Sequence, residues 1–151
     1  MKRRFLNGLA LLLGTIVIAA PFVAAKDETL EELIARAEAA QPGHQPDLYV
    51  EAAERELKLT TDSYKNNKPE EARVTLDKIV EFSDKAHSAA IKSGKRLPHT
   101  EIKIRKVSAR LRDLKLNVDV DEQPLVQNAI DRLEDFRTEI LKTMFGAKGH
   151  E

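Results

Sequence analysis

From Thr29 onward, apolar residues recur three and four positions apart, the spacing of one helical face, in five stretches separated by Pro, Gly or Asn. The first, from about Thr29 to Ala40, carries Leu30, Leu33, Ile34 and Ala37. Thr29 and Glu32 have the spacing of a capping box, and Pro42-Gly43 ends the segment. The second runs from about Asp47 to Asn66, with Tyr49, Ala53, Leu57, Thr60 and Tyr64 on one face. Pro69-Glu70-Glu71 opens the third, as the helix dipole prefers, and Gly94 offers it a left-handed stop after Ser93. Its expected buried stripe is Ala72, Leu76, Ile79, Val80, Ser83, Ala86 and Ala90. The fourth starts near Pro98 and shows Ile104, Val107, Leu111, Leu114 and Val118 in a 3-4-3-4 seam. The fifth is expected to be capped by Asp121, with Pro124 in its first turn, and to bury Val126, Ile130, Leu133, Phe136, Ile140 and Met144. Gly146 ends it, leaving residues 147–151 as a disordered tail.

Such a seam favours packing near +20°, and short loops after the second, third and fourth helices favour antiparallel neighbours. The pattern therefore predicts an all-α fold: an antiparallel up-down bundle of four long helices with a short N-terminal helix laid across it. The domain spans 26–146. No strand is expected, because the brief alternation from Lys115 to Val120 reads as a helix end and its loop.

Residues 67–86, with Pro69-Glu70-Glu71-Ala72 followed by Leu76 and Val80, resemble the second helix of a tetratricopeptide unit. The resemblance covers one helix of the five and implies a helical-repeat binding module as an alternative architecture. The helices are long for that repeat, and the chain shows no self-similarity at its period.

Residues 1–25 have a different pattern. Lys2, Arg3 and Arg4 form a positive start, and no charge follows until Lys26. Leu9 to Leu13 and Ile16 to Ala20 form an apolar core, Pro21 breaks it, and Val23-Ala24-Ala25 supplies small residues for a peptidase. This is the layout of a bacterial secretory signal peptide cleaved after Ala25, so the expected destination is periplasmic or secreted. The competing reading is an uncleaved anchor, since the uncharged run is just long enough to span a bilayer. Membrane attachment is expected only in that case.

Of the 151 residues, 42% are hydrophobic and 33% charged, a balance that suits amphipathic helices with charged outer faces. There is no Trp or Cys, which argues against a disulfide scaffold and leaves core packing as the source of stability. Of 25 basic and 25 acidic residues, three basic ones lie in the signal segment, so the mature chain carries a formal charge of −3. That gives no global attraction to nucleic acid.

The charge is unevenly distributed. From Lys92 to Lys115 nine basic residues face only Glu101 and Asp113, a local +7 that leaves −10 elsewhere in the mature chain. On a helical wheel Lys103, Lys106 and Arg110 fall on one flank of the fourth helix's seam, and Arg105 and Arg112 on the other. These five residues either form a stripe for an acidic partner or polyanion, or flank the seam and pair internally, as bundle-edge cations often do. Interleaved aromatics for base stacking are missing.

Catalytic chemistry has no support. Cys is absent, no Gly-x-Ser-x-Gly elbow exists, and the six glycines make no phosphate loop. Acidic residues are abundant, but nearly all fall on expected solvent faces. His44, His99 and His150 read as exposed. His87, three residues after Asp84, could contribute half of a carboxylate-bridged metal site, but no second Asp-x-x-His copy exists to complete it. With Met144 it could also ligate a b-type haem, whereas Cys-x-x-Cys-His for covalent attachment is absent. The simpler reading makes His87 structural and Met144 core filler.

No catalytic, cofactor or metal site is therefore assigned. The leading expectation is an exported, non-catalytic helical interaction protein: an adaptor, scaffold or chaperone-like module of the envelope. Its partner would be another envelope protein or a second copy. Leu48, Val50, Leu59 and Phe82, off the main stripes, are candidate surface contacts. A haem- or metal-binding carrier using His87 is the alternative.

Overall fold

The computed structural model describes residues 27–146; the expected signal peptide (1–25) and the expected disordered tail (147–151) lie outside the described residues. The described chain is all-α, with five helices: α1 Leu30–Ala39, α2 Gln45–Lys65, α3 Pro69–Ser93, α4 Leu97–Lys115 and α5 Gln123–Gly146. They form a helical bundle around one apolar core.

The local signals act as their chemistry requires. The Thr29 hydroxyl accepts from the Glu32 N–H at 3.2 Å, and the Glu32 carboxylate accepts from the Thr29 N–H at 2.8 Å, closing the capping box. Gly94 sits at φ +65°, where its N–H donates to the Ala90 and Ile91 carbonyls. A side chain there would meet the left-handed penalty. Prolines 46, 69 and 98 occupy first-turn positions, where a missing N–H costs nothing. Two ends differ from expectation. α4 stops at Lys115, and Val118 packs on the core from the following loop. α5 begins at Gln123, and the Val126 N–H donates to the Glu122 carbonyl, so Glu122 rather than Asp121 opens that helix.

The most extensive contact joins α2 to α3, and the next joins α4 to α5. These two pairs meet along α3–α5 and, more sparsely, α2–α4, while α1 rests on α2. Around the bundle the order is thus α2, α3, α5, α4. Arg73, early in α3, pairs with Glu122 at the start of α5, and His87, late in α3, meets Glu139, late in α5. Like ends therefore lie together across the α3–α5 seam.

Ile79, Ile104, Leu111, Leu133 and Ile140 are fully enclosed, each contributing about 1.5–3 kcal/mol of burial. Ala52, Ala53, Ala72, Ala86 and Ala90 are fully enclosed as well. Two residues expected at the surface are buried instead. Phe82 is 3% exposed with the Lys85 ammonium 5.4 Å from its ring centroid, and Val50 is 3% exposed. Leu48 is half-buried. The cause is neighbour number: α3 packs against α2, α5 and α4, and α2 against α1, α3 and α4, so their apolar arcs are wider than a single seam. Leu59 is exposed as expected.

Candidate functional site

The five basic candidates on α4 divide according to the helix they face. Arg105 lies 4.0 Å from Glu101, and Arg112 donates to Glu134 at 2.6 Å. Both belong to a ladder on the α4–α5 seam, where buried Glu101 accepts two hydrogen bonds from Arg137 (2.7 and 2.9 Å). Glu134 accepts from Ser108 and also pairs with Arg137. Burial would raise the Glu134 pKa, but the Ser108 hydroxyl and the two guanidinium groups outweigh it and hold the carboxyl below its ordinary value. Arg112 therefore ties α4 to α5, while Arg105, more than half exposed, pairs within its own helix.

The other flank turns toward α2. Lys103 reaches Glu54 at 3.5 Å. Lys106 and Arg110 have no carboxylate within ion-pair distance among the described residues. They border the α2–α4 seam, whose two halves differ. In the N-terminal halves ion pairs join the helices, Asp47 to Arg96 (3.3 Å) and Glu54 to Lys103, with the His99 ring 3.5 Å from Asp47. In the C-terminal halves no ion pair among the described residues crosses, and a groove of about 640 Å³ opens between residues 57–65 and 110–117.

Leu57, Tyr64 and Leu114 give this groove an apolar base. Lys58 and Lys65 from α2 and Arg110 from α4 stand on its rim, none ion-paired among the described residues. Asp62 and Asp113 also line it, with Thr61 and Asn117 between the charges. Arg110 further borders a second recess of about 360 Å³, which continues along the seam past Lys106 and Val107. Beyond the groove's end, Leu116 and Val120 in the α4–α5 connection are 81% and 78% exposed. Three cations and two carboxylates thus stand around an apolar base, with exposed apolar side chains on the neighbouring connection.

His87 is buried in the α3–α5 seam. Its ring stacks on Phe136 with centroids 5.1 Å apart. Nε2 lies 2.9 Å from a Glu139 oxygen and Nδ1 3.6 Å from an Asp84 oxygen. The two carboxylates thus approach opposite ring nitrogens and cannot share one ion with the imidazole. Among the described residues no group of three His, Asp or Glu side chains converges as a metal site. Met144 packs against the core.

Three acids that the pattern placed on solvent faces are buried: Glu56, Glu101 and Glu122. Glu122 is held by Arg73 and by the Tyr64 hydroxyl at 3.0 Å, tying α2, α3 and the start of α5 together. Glu56 has a weaker partner, the Lys78 ammonium at 3.6 Å, and neither of its oxygens accepts a hydrogen bond. Burial pushes its carboxyl above the ordinary value of 4.5, Lys78 offsets part of that, and Glu81 and Glu31 add to it. Because the folded value is the raised one, the folded state loses stability as pH climbs from 4.5 through that value. Glu56→Gln is expected to stabilise the protein at neutral pH by about 1–2 kcal/mol, with no gain in acid where both states are protonated. Thermal melts of both proteins across pH check this, and an unchanged difference at every pH would refute it.

Comparison with known proteins returned no match to a protein family, a characterised relative or a solved structure. Among the described residues no helix is long and apolar enough to cross a membrane.

Proposed function

We propose that this chain is an exported, non-catalytic interaction protein of the bacterial cell envelope, with the α2–α4 groove as its binding face. The observation that carries the reading is the groove itself. It is the stretch of the α2–α4 seam without ion pairs among the described residues, and the unpaired cations Lys58, Lys65 and Arg110 border it. The basic fourth helix thereby divides its work, with Arg112 holding α5 and Arg110 and Lys106 meeting a partner.

The architecture belongs to the same proposal. Connections of 66–68, 94–96 and 116–122 are short for helices of this length, which supports an up-down chain with consecutive helices antiparallel. Export follows from residues 1–25 as a cleaved signal peptide, which makes Lys26 the first mature residue and the periplasm or the exterior its location.

A photo-reactive amino acid at Thr61 in the groove, compared with one at exposed Ser88 on α3, tests the binding face in an exporting bacterial host. Thr61 is expected to yield a discrete cross-linked adduct and Ser88 none. Mass spectrometry of the recovered protein is expected to begin at Lys26. Equal labelling from both positions, or none from Thr61, would remove the groove from consideration.

A further inference from the structure

We propose that the α2–α4 groove receives an acidic amphipathic helix from a partner protein. The inference rests on the interaction reading above and names the chemistry of its occupant. Leu57, Tyr64 and Leu114 offer an apolar strip at the base, so the occupant must bring apolar side chains of its own.

The groove's length favours a helix. Residues 57–65 of α2 span about 12 Å of helix axis, roughly two turns, facing the last turn and a half of α4 and the turn at Asn117, which leaves room for apolar anchors at i, i+3, i+4 and i+7. A third helix laid between two others repeats the packing of the bundle itself.

Charge selects the flank. Lys58, Lys65 and Arg110 on the rim outnumber Asp62 and Asp113 by one, and in the adjoining recess Lys106 stands opposite Glu54. A bare polyanion would meet those two carboxylates and leave the apolar base unmatched. A helix with an apolar face and glutamates or aspartates beside it satisfies base and cations together. Leu116 and Val120, exposed in the connection that holds groove-lining Asn117, are free to add apolar contact.

Three fluorescent peptides of about 14 residues test the assignment. One is an acidic amphipathic helix, one has the same composition scrambled to destroy its apolar face, and one replaces its acids with lysine. Fluorescence anisotropy on the mature protein is expected to show saturable binding of the first, at least about tenfold tighter than either of the others. Arg110→Glu and Lys58→Glu, both at exposed rim positions, are each expected to weaken it about tenfold, while Lys92→Glu on α3 leaves it unchanged. Equal binding of the scrambled peptide would reduce the effect to bulk charge and overturn the proposal. Preference for the basic peptide, no binding by any, or a self-associated dimer that excludes the acidic peptide would overturn it too. If Thr61 still cross-links a partner in cells while all peptides fail, the interaction reading stands and only the acidic helix falls.

Discussion

Replacing Phe136 with alanine is expected to remove about 3–4 kcal/mol of stability, the largest loss from a single side chain near the α3–α5 seam. The ring is 4% exposed, with the His87 imidazole stacked at 5.1 Å and the Arg132 guanidinium 5.2 Å from its centroid. Truncation removes the apolar area and both stacking partners at once, and leaves His87 facing a void that its neighbours cannot fill. Denaturant unfolding followed by circular dichroism measures the loss directly. A change below about 1 kcal/mol would mean that Phe136 is not enclosed as described.

Glu122→Gln is expected to cost about 2 kcal/mol at neutral pH, because Arg73 and Tyr64 lose a charged acceptor that ties three helices at one end of the bundle. The half-exposed Arg73 can regain water, which keeps the loss below that of a fully buried pair. Arg73 holds the Glu122 carboxyl below 4.5, with burial opposing and the Tyr64 hydroxyl assisting. A depressed folded value places the stabilisation above pH 4.5, to be lost as pH falls through the folded value. The variant should therefore differ most from the parent near neutrality and converge with it in acid. Melting temperatures from neutral pH downward decide this, and parallel curves would show that Glu122 contributes by shape and not by charge.

Glu56 and Glu122 show where the sequence stops being informative. Helix existence, the Thr29 capping box, the Pro69 start and the Gly94 stop are all local, because each depends on backbone groups within a few residues. An acid on an amphipathic helix looks solvent-facing unless the distant partner that covers it is known. Glu122 waits for Arg73, 49 residues earlier, and no periodicity reveals such a pairing. Phe82 is hidden from the pattern for a related reason: a single seam describes a helix with one neighbour, and α3 has three. The flank assignment on α4 needed only the helical wheel, so the separation of Lys103, Lys106 and Arg110 from Arg105 and Arg112 was legible. Which flank closes on α5 and which borders an open groove was not, because that depends on the order of helices around the bundle.

That order also sets the course by which the chain folds. Within each helix pair the partners are joined by connections as short as residues 66–68 and 116–122, so closing either one sacrifices little chain entropy. Joining α3 to α5 bridges a separation such as Arg73 to Glu122, which becomes favourable once both pairs offer a formed surface. Each half is therefore expected to form first and the two to dock afterwards, with stopped-flow refolding as the check. A nick between Gly94 and Arg96 would sever no contact inside either half.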